Sequence, residues 1–239
     1  MGYATSASRY SANQLVPILC EALQVQSVLD IGCASGTWLS VWRSAGIVDV
    51  HGIDGDYVDR ERLEIPPSHF TSADLTQPFS LGRTFDLVQS LEVGEHICPE
   101  ASELFIDQMV KHSNRFVLFS AAPPGQGGEH HVNERSFEFW RDLFRDRDFL
   151  PFDYLRPLVL NDKSVCFWYR LNTLLYVRQD RVSELDPRVL NTKVPDGSPI
   201  VDLSSFAFRI RKMLVRHLPY RVQHNLARFK ARYLPSGNF

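Results

Sequence analysis

One stretch constrains this chain more than any other: Val28-Leu-Asp-Ile-Gly-Cys-Ala-Ser-Gly-Thr-Trp-Leu39. An apolar run ends in Asp30, a turn of small residues follows, and a helical pattern opens at Thr37. The same alternation continues downstream. Strands are predicted at Ser27–Ile31, Val50–Asp54, His69–Ala73, Phe85–Ser90 and Arg115–Ser120, and helices at Thr37–Ala45, Pro99–Lys111 and Glu134–Arg147. The β-rich, aromatic stretch Val165–Val177 is expected to supply closing antiparallel strands. Strands that alternate with helices imply a mostly parallel sheet covered on both faces. The expected fold is therefore α/β, Rossmann-like, with helices on both faces and a C-terminal helical appendage.

The flanks read differently. Residues 1–10 look like an arm, and Ser11 with Gln14 resembles a capping box for a helix reaching about Leu23. The main domain spans 25–180. Residues 181–200, with three prolines and no periodicity, suit a linker or surface excursion. From 201 to 239 two amphipathic patterns follow: Phe206, Ile210, Met213 and Leu214 share one face, and Val222, Leu226, Phe229 and Tyr233 another.

Ligands of open parallel sheets sit at the carboxyl ends of strands, so the ends are where chemistry is sought. Gly32 and Gly36 let the backbone approach a ligand without a side chain in the way. Alone, such a turn equally suits NAD or no ligand. Spacing to further acids narrows it. Asp54 lies 22 residues after Gly32, at the end of the second strand, where it can accept from both ribose hydroxyls of an adenosine. Asp74 ends the third strand, within reach of an adenine amino group. Three acids on successive strand ends beside the turn Gly32-x-Ala34-x-Gly36 suit a cofactor without phosphates. A dinucleotide would want GxGxxG and an open helix N-terminus.

Over roughly residues 25–178 the chain resembles the class I methyltransferases that use S-adenosylmethionine (SAM). The resemblance is carried by Asp30-x-Gly32-x-Ala34-x-Gly36, Asp54, Asp74-Leu75 and Phe85-Asp-Leu-Val-Gln-Ser-Leu-Glu-Val-Gly-Glu-His96. It implies a seven-stranded sheet with methionine near Asp30 and Gly32, ribose at Asp54 and adenine near Asp74 and Leu75. The fourth-strand end, Ser90, Leu91 and Glu92, would line the cofactor. Cys33, Ala34, Trp38 and Gly55 complete the candidate cofactor residues, although Trp38 suits packing as well as stacking.

Methyl transfer needs alignment and, for a hydroxyl acceptor, a base. Two clusters supply candidates. Glu92-Val-Gly-Glu95-His96 follows the fourth strand and also suits helix-start scaffolding. Pro123-Pro-Gly-Gln-Gly-Gly-Glu-His-His-Val-Asn133 follows the fifth strand and suits a hinged lid. His130 and His131 are adjacent, so only one is expected to face the site. The catalytic candidates are His131, His130 and His96. Glu92, Glu95, His96 and His131 also resemble the metal quartet of methyltransferases acting on the terminal 2′-hydroxyl of small RNAs, which implies Mg, Mn or Zn. The second cluster lacks that family's other signatures, so the chain is read without a metal. Trp140, Trp168 and Tyr169 are read as core or strand-face aromatics.

Charge bounds the partners. Residues 201–239 carry eight Lys or Arg and one acid, leaving 18 basic against 27 acidic residues, net -9, in 1–200. The acidic body and the missing Asn-Pro-Pro-aromatic motif argue against nucleic acid. The basic tail can pack on the body, on a partner protein or on an anionic membrane surface. Cys20, Cys33, Cys98 and Cys166 form no CxxC pair and read as free thiols of a reducing, cytoplasmic compartment; the membrane reading would place the chain peripherally on the inner face. The function expected is O-methylation of a sugar, glycan or natural-product hydroxyl. The alternatives are a metal-assisted RNA 2′-O-methyltransferase and a non-catalytic scaffold, against which the intact Asp30, Gly32, Gly36, Asp54 and Asp74 speak.

Overall fold

The computed structural model describes residues 2–233, with side chains for 6–229. Its elements run α1 (Gly2–Leu23), β1 (Ser27–Ile31), α2 (Thr37–Ser44), β2 (Asp49–Asp54), β3 (Phe70–Ser72), β4 (Phe85–Leu91), α3 (Ser102–His112), β5 (Ser113–Ser120), α4 (Phe137–Arg145) and β6 (Phe149–Phe152). Then come α5 (Leu155–Val159), α6 (Phe167–Asn172), β7 (Leu174–Arg178), α7 (Pro187–Leu190), α8 (Phe206–Val215) and α9 (Tyr220–Tyr233). The strands form one seven-stranded sheet, ordered β3-β2-β1-β4-β5-β7-β6. All pairings are parallel except those of β7, which is antiparallel to both neighbours.

Successive strand residues face opposite sides, and both sides are buried. On one, Val28, Leu87, Phe116 and Leu118 pack with Leu15, Leu19, Leu39 and Trp42 of α1 and α2. On the other, Leu29, Val88, Val117 and Phe119 pack with Phe105, Met109, Trp140 and Phe144 of α3 and α4. Such double coverage demands the near-continuous apolar runs from which the strands were read.

Four expectations need correction. The first ten residues are not an arm: α1 starts at Gly2. Ser11 therefore lies inside the helix and caps nothing. Its hydroxyl bonds the Ala7 carbonyl one turn back, the alternative open to a mid-helix serine, and accepts from the Cys166 amide at 3.0 Å. Helix α4 begins three residues later than predicted, where Ser136 accepts from the Phe139 amide. Val165–Val177 is not all strand: Phe167–Asn172 forms α6, in which Tyr169 packs on Trp38 and Phe167 on Phe208. Packing of this kind overrides strand propensity. The missing strand is β6, whose Pro151 is tolerated because β6 lies at the sheet edge.

Residues 181–200 pack along that edge. Val189, Val194 and Ile200 are buried, and the Val194 amide donates to the Pro151 carbonyl. Arg156 anchors the segment that follows. Its guanidinium is wholly buried, pairs with both Asp153 oxygens at 2.7 Å, and donates to the carbonyls of Leu171 and Val201. Replacing Arg156 by Met should cost roughly 3 kcal/mol in urea unfolding, since it strands a carboxylate and two carbonyls. It should also speed proteolysis beyond Val201.

Candidate active site

The chain reverses direction across the sheet between β1 and β4, and the crevice beyond their carboxyl ends is a cavity of about 780 Å³. That is within the range of sites for small molecules and cofactors. Its floor is Gly32, its far wall Asp54 and Asp74, and its near wall Glu92, Val93 and His96.

The glycine turn is built by close approach. Gly32 has φ +85°, and a Cβ there would lie 2.4 Å from Val93 Cγ2. Gly36, at φ +80°, precedes α2. Ala34 also takes a positive φ, 48°, held by its amide donating 2.7 Å to Asp54 Oδ2. Asp54 Oδ1 accepts from the Gly55 amide at 2.7 Å and from the Tyr57 hydroxyl. Three of about four acceptor positions are thus filled, one of them by Tyr57, which is 80 % exposed.

Asp30 is buried beneath this turn. Burial pushes its carboxyl up to about 7, with Gln89 opposing and Asp54 adding to the rise. A buried acid held so far from its ordinary range is suited to a cationic ligand. Asp74 stands exposed at the rim, its Oδ1 accepting from the amide and hydroxyl of Thr76, which lower its pKa. Leu75, Gly55 and Glu92 also line the cavity.

Other candidates point elsewhere. Cys33 Sγ packs over Gly52 of β2. Trp38 is buried edge-on against Tyr169, centroids 5.2 Å apart, away from the cavity lining. Ser90 spends its hydroxyl on the Ile31 carbonyl, and Leu91 is core. Their contribution is to the walls behind the cavity.

Beyond Gly32 the two polar clusters meet. Glu92 sits at φ +58°, with its carboxylate held by Gln126 and Asn172, each at 3.2 Å. His131 Nδ1 lies 2.9 Å from Glu134 Oε1, which places the ring proton on Nδ1, and Nε2 faces Glu95 Oε1 at 4.0 Å. Glu134 also accepts from the amides of Gly125 and Gly127 at 2.7 Å. His96 Nδ1 faces the His130 carbonyl at 3.2 Å, and its ring meets that of His131 edge-on at 4.9 Å. Burial, then His131, holds His96 down to about 4, so it is neutral at pH 7. Ligand atoms of Glu95, His96 and His131 lie within 4.8 Å of one another. Glu92 is not in that group, contrary to the quartet considered from sequence. Glu95 is buried, its Oε2 has no hydrogen-bond partner, and burial and Glu92 raise its pKa well above the usual range. His130, at φ +59°, turns away: its ring lies 5.0 Å from His224 of α9.

Sequence reading missed Tyr57, Glu134, Gln126 and Asn172. Glu134 follows His131 by three, a spacing that could have marked it. Gln126 lay inside the quoted Pro-Gly loop. Asn172 comes from 80 residues beyond Glu92 and carries no local signal.

A family model described as a methyltransferase domain matches residues 6–156. No curated protein matches the chain at a significant level. Among solved structures, magnesium protoporphyrin IX methyltransferase from Synechocystis with bound SAM is similar at 20 % identity and TM-score 0.52, over 72 % of this chain and 80 % of that one. The sugar N-methyltransferase of Streptoalloteichus sp is similar at 15 % identity and TM-score 0.55, over 75 % and 90 %. These likenesses show the shared fold, and the domain match spans more than half of the sequence. The chain therefore belongs to the methyltransferase domain family and is a SAM-dependent methyltransferase.

Proposed function

We propose that this methyltransferase acts on a hydroxyl of a sugar, glycan or natural product, with His131 as the base. The observation that carries the reading is the His131–Glu134 pair, 2.9 Å apart beside the cavity wall. A hydroxyl is a poor nucleophile until its proton is taken, and imidazole is the side chain suited to that near neutral pH. Asp30, Gly32, Asp54 and Asp74 would hold the cofactor, in the places expected for its methionine, ribose and adenine parts. SAM supplies a methyl group on a positively charged sulfur, which leaves as a neutral thioether. With SAM bound, His131 Nε2 would take the acceptor hydroxyl's proton, and Glu134 would stabilise the imidazolium that results.

Position separates the two adjacent histidines. His131→Ala should lower kcat by about 10²-fold with SAM affinity retained, as loss of a general base does. His130→Ala should turn over within about threefold of wild type on the same scale. Methyl transfer from radiolabelled SAM to a panel of sugars and phenols reads both; equal loss in the two variants would overturn the assignment to His131.

Asp30 gives a pH signature. Its raised pKa means that the empty fold binds a proton more readily than the unfolded chain. Ionising it costs stability as pH climbs from about 4 to about 7. A cationic ligand beside it favours the ionised form, so SAM should bind about tenfold tighter at pH 8 than at pH 6. Calorimetry on Asp30→Asn should flatten this dependence relative to wild type. An unchanged slope would remove Asp30 from the cationic part of the site.

A specific observation favours a second reading, in which Glu95, His96 and His131 hold a divalent ion. A carboxylate oxygen of the buried Glu95 lies within 4.8 Å of two imidazoles whose Nδ1 atoms face oxygen partners, the arrangement that orients metal-binding histidines. Calorimetric titration of Mn²⁺ into chelator-treated protein should then show one site, abolished in Glu95→Gln. No heat in wild type would discard the metal and leave the base.

A further inference from the structure

Helices α8 and α9 are mounted with their apolar stripes outward. Phe206, Ile210, Met213 and Leu214 recur at i, i+4, i+7 and i+8, one helical face, and all four are exposed, Phe206 by 72 % and Leu214 by 62 %. The face turned to the body is the mixed one. Phe208 packs edge-on against Phe167 at 5.6 Å, Lys212 Nζ is buried on Asp202 at 2.6 Å, and Arg211 donates to the Gln126 carbonyl at 3.0 Å. In α9, Gln223, His224 and Ala227 are partly covered while Val222 and Leu226 are exposed. An ordinary surface helix hides its apolar stripe; here both are presented.

The charges decide what covers them. Arg209, Arg216, Arg221 and Arg228 are exposed on the same two helices, and no acid occurs from Leu203 to Phe239. A second copy would set four exposed arginines against four of the same sign. An apolar stripe is wasted on RNA, whose contacts are with phosphate and base edges. Aliphatic and aromatic groups set among arginines, without acids, are the composition of a helix lying in the headgroup region of an anionic bilayer. No helix among the described residues is long and apolar enough to cross one.

We infer that α8 and α9 form a docking surface for membranes carrying anionic lipids. Their position gives this a consequence, which rests on the proposed reading of the site. His224 of α9 faces the amide and ring of His130, and the His130 carbonyl bonds His96 at the cavity wall. Seating the stripes on a bilayer places the loop of Gly125, His130 and His131 one helix away from the headgroups.

The test is co-sedimentation of the full chain with phosphatidylcholine vesicles and with vesicles that also contain phosphatidylglycerol. Preferential sedimentation with the anionic vesicles, weakened by salt, is expected. Leu214→Glu combined with Leu226→Glu should weaken it by about tenfold or more. Unchanged calorimetric affinity for SAM shows that this variant is folded, and the vesicle result stands whether or not the hydroxyl reading does. Failure of wild type to bind anionic vesicles, or undiminished binding by the variant, overturns the proposal. So does a dimer in light scattering that the variant abolishes, which would make the occupant a second copy. Binding to single-stranded RNA without vesicle binding would assign the surface to nucleic acid.

Discussion

The backbone after β1 runs against the side chain that follows β4, and everything at the cavity depends on that contact. Val93 fills the space where a Cβ on residue 32 would sit. The adjoining turn is then pinned from the other side by Asp54, which draws in the Ala34 amide. The loops after β1, β2 and β4 are thereby locked together. The cavity is the space this arrangement leaves. Only glycine satisfies both the left-handed φ and the clearance at residue 32, so the position is fixed by geometry before any ligand is considered.

Around that floor three carboxylates with raised pKa values are held under different terms. Asp30 has an amide neighbour in Gln89 and is pushed up to about 7. Glu92 is raised by burial but has two amide donors to share its charge. Glu95 is raised well above the usual range and leaves one oxygen without a donor. Burying uncompensated acids costs stability, and their concentration at one crevice marks it as the place where the protein's stability is spent on binding and chemistry.

The parallel strands were legible because burial on both faces leaves nothing but apolar residues, ended by an acid or serine where the crevice begins. Asp54 and Asp74 could be placed from that rule alone. β6 could not, being four residues with a proline, and α6 read as strand because Phe167-Trp168-Tyr169 has strand composition whatever it packs on. The turn residues of the site were visible, but their partners were not. Glu92 is held by groups 34 and 80 residues away, and only the fold brings them together. That His131 meets Glu134 while His130 meets His224 was likewise invisible in their adjacency. In the tail, periodicity revealed a stripe on each helix but not its direction, since inward and outward mounting share one pattern. The side chain of Tyr233 and residues 234–239 of the tail lie outside what the structure describes.

Gly125 has φ +83°, and a Cβ there would lie 2.1 Å from the Lys212 carbonyl. Helix α8 thus rests directly on the loop whose amides grip Glu134 and, through it, His131. If a ligand of the helix favours one setting of the loop, then whatever occupies the crevice in that setting must tighten the helix's grip on its own ligand by the same factor. The product, bound or released, would report on the helix as faithfully as the helix reports on it.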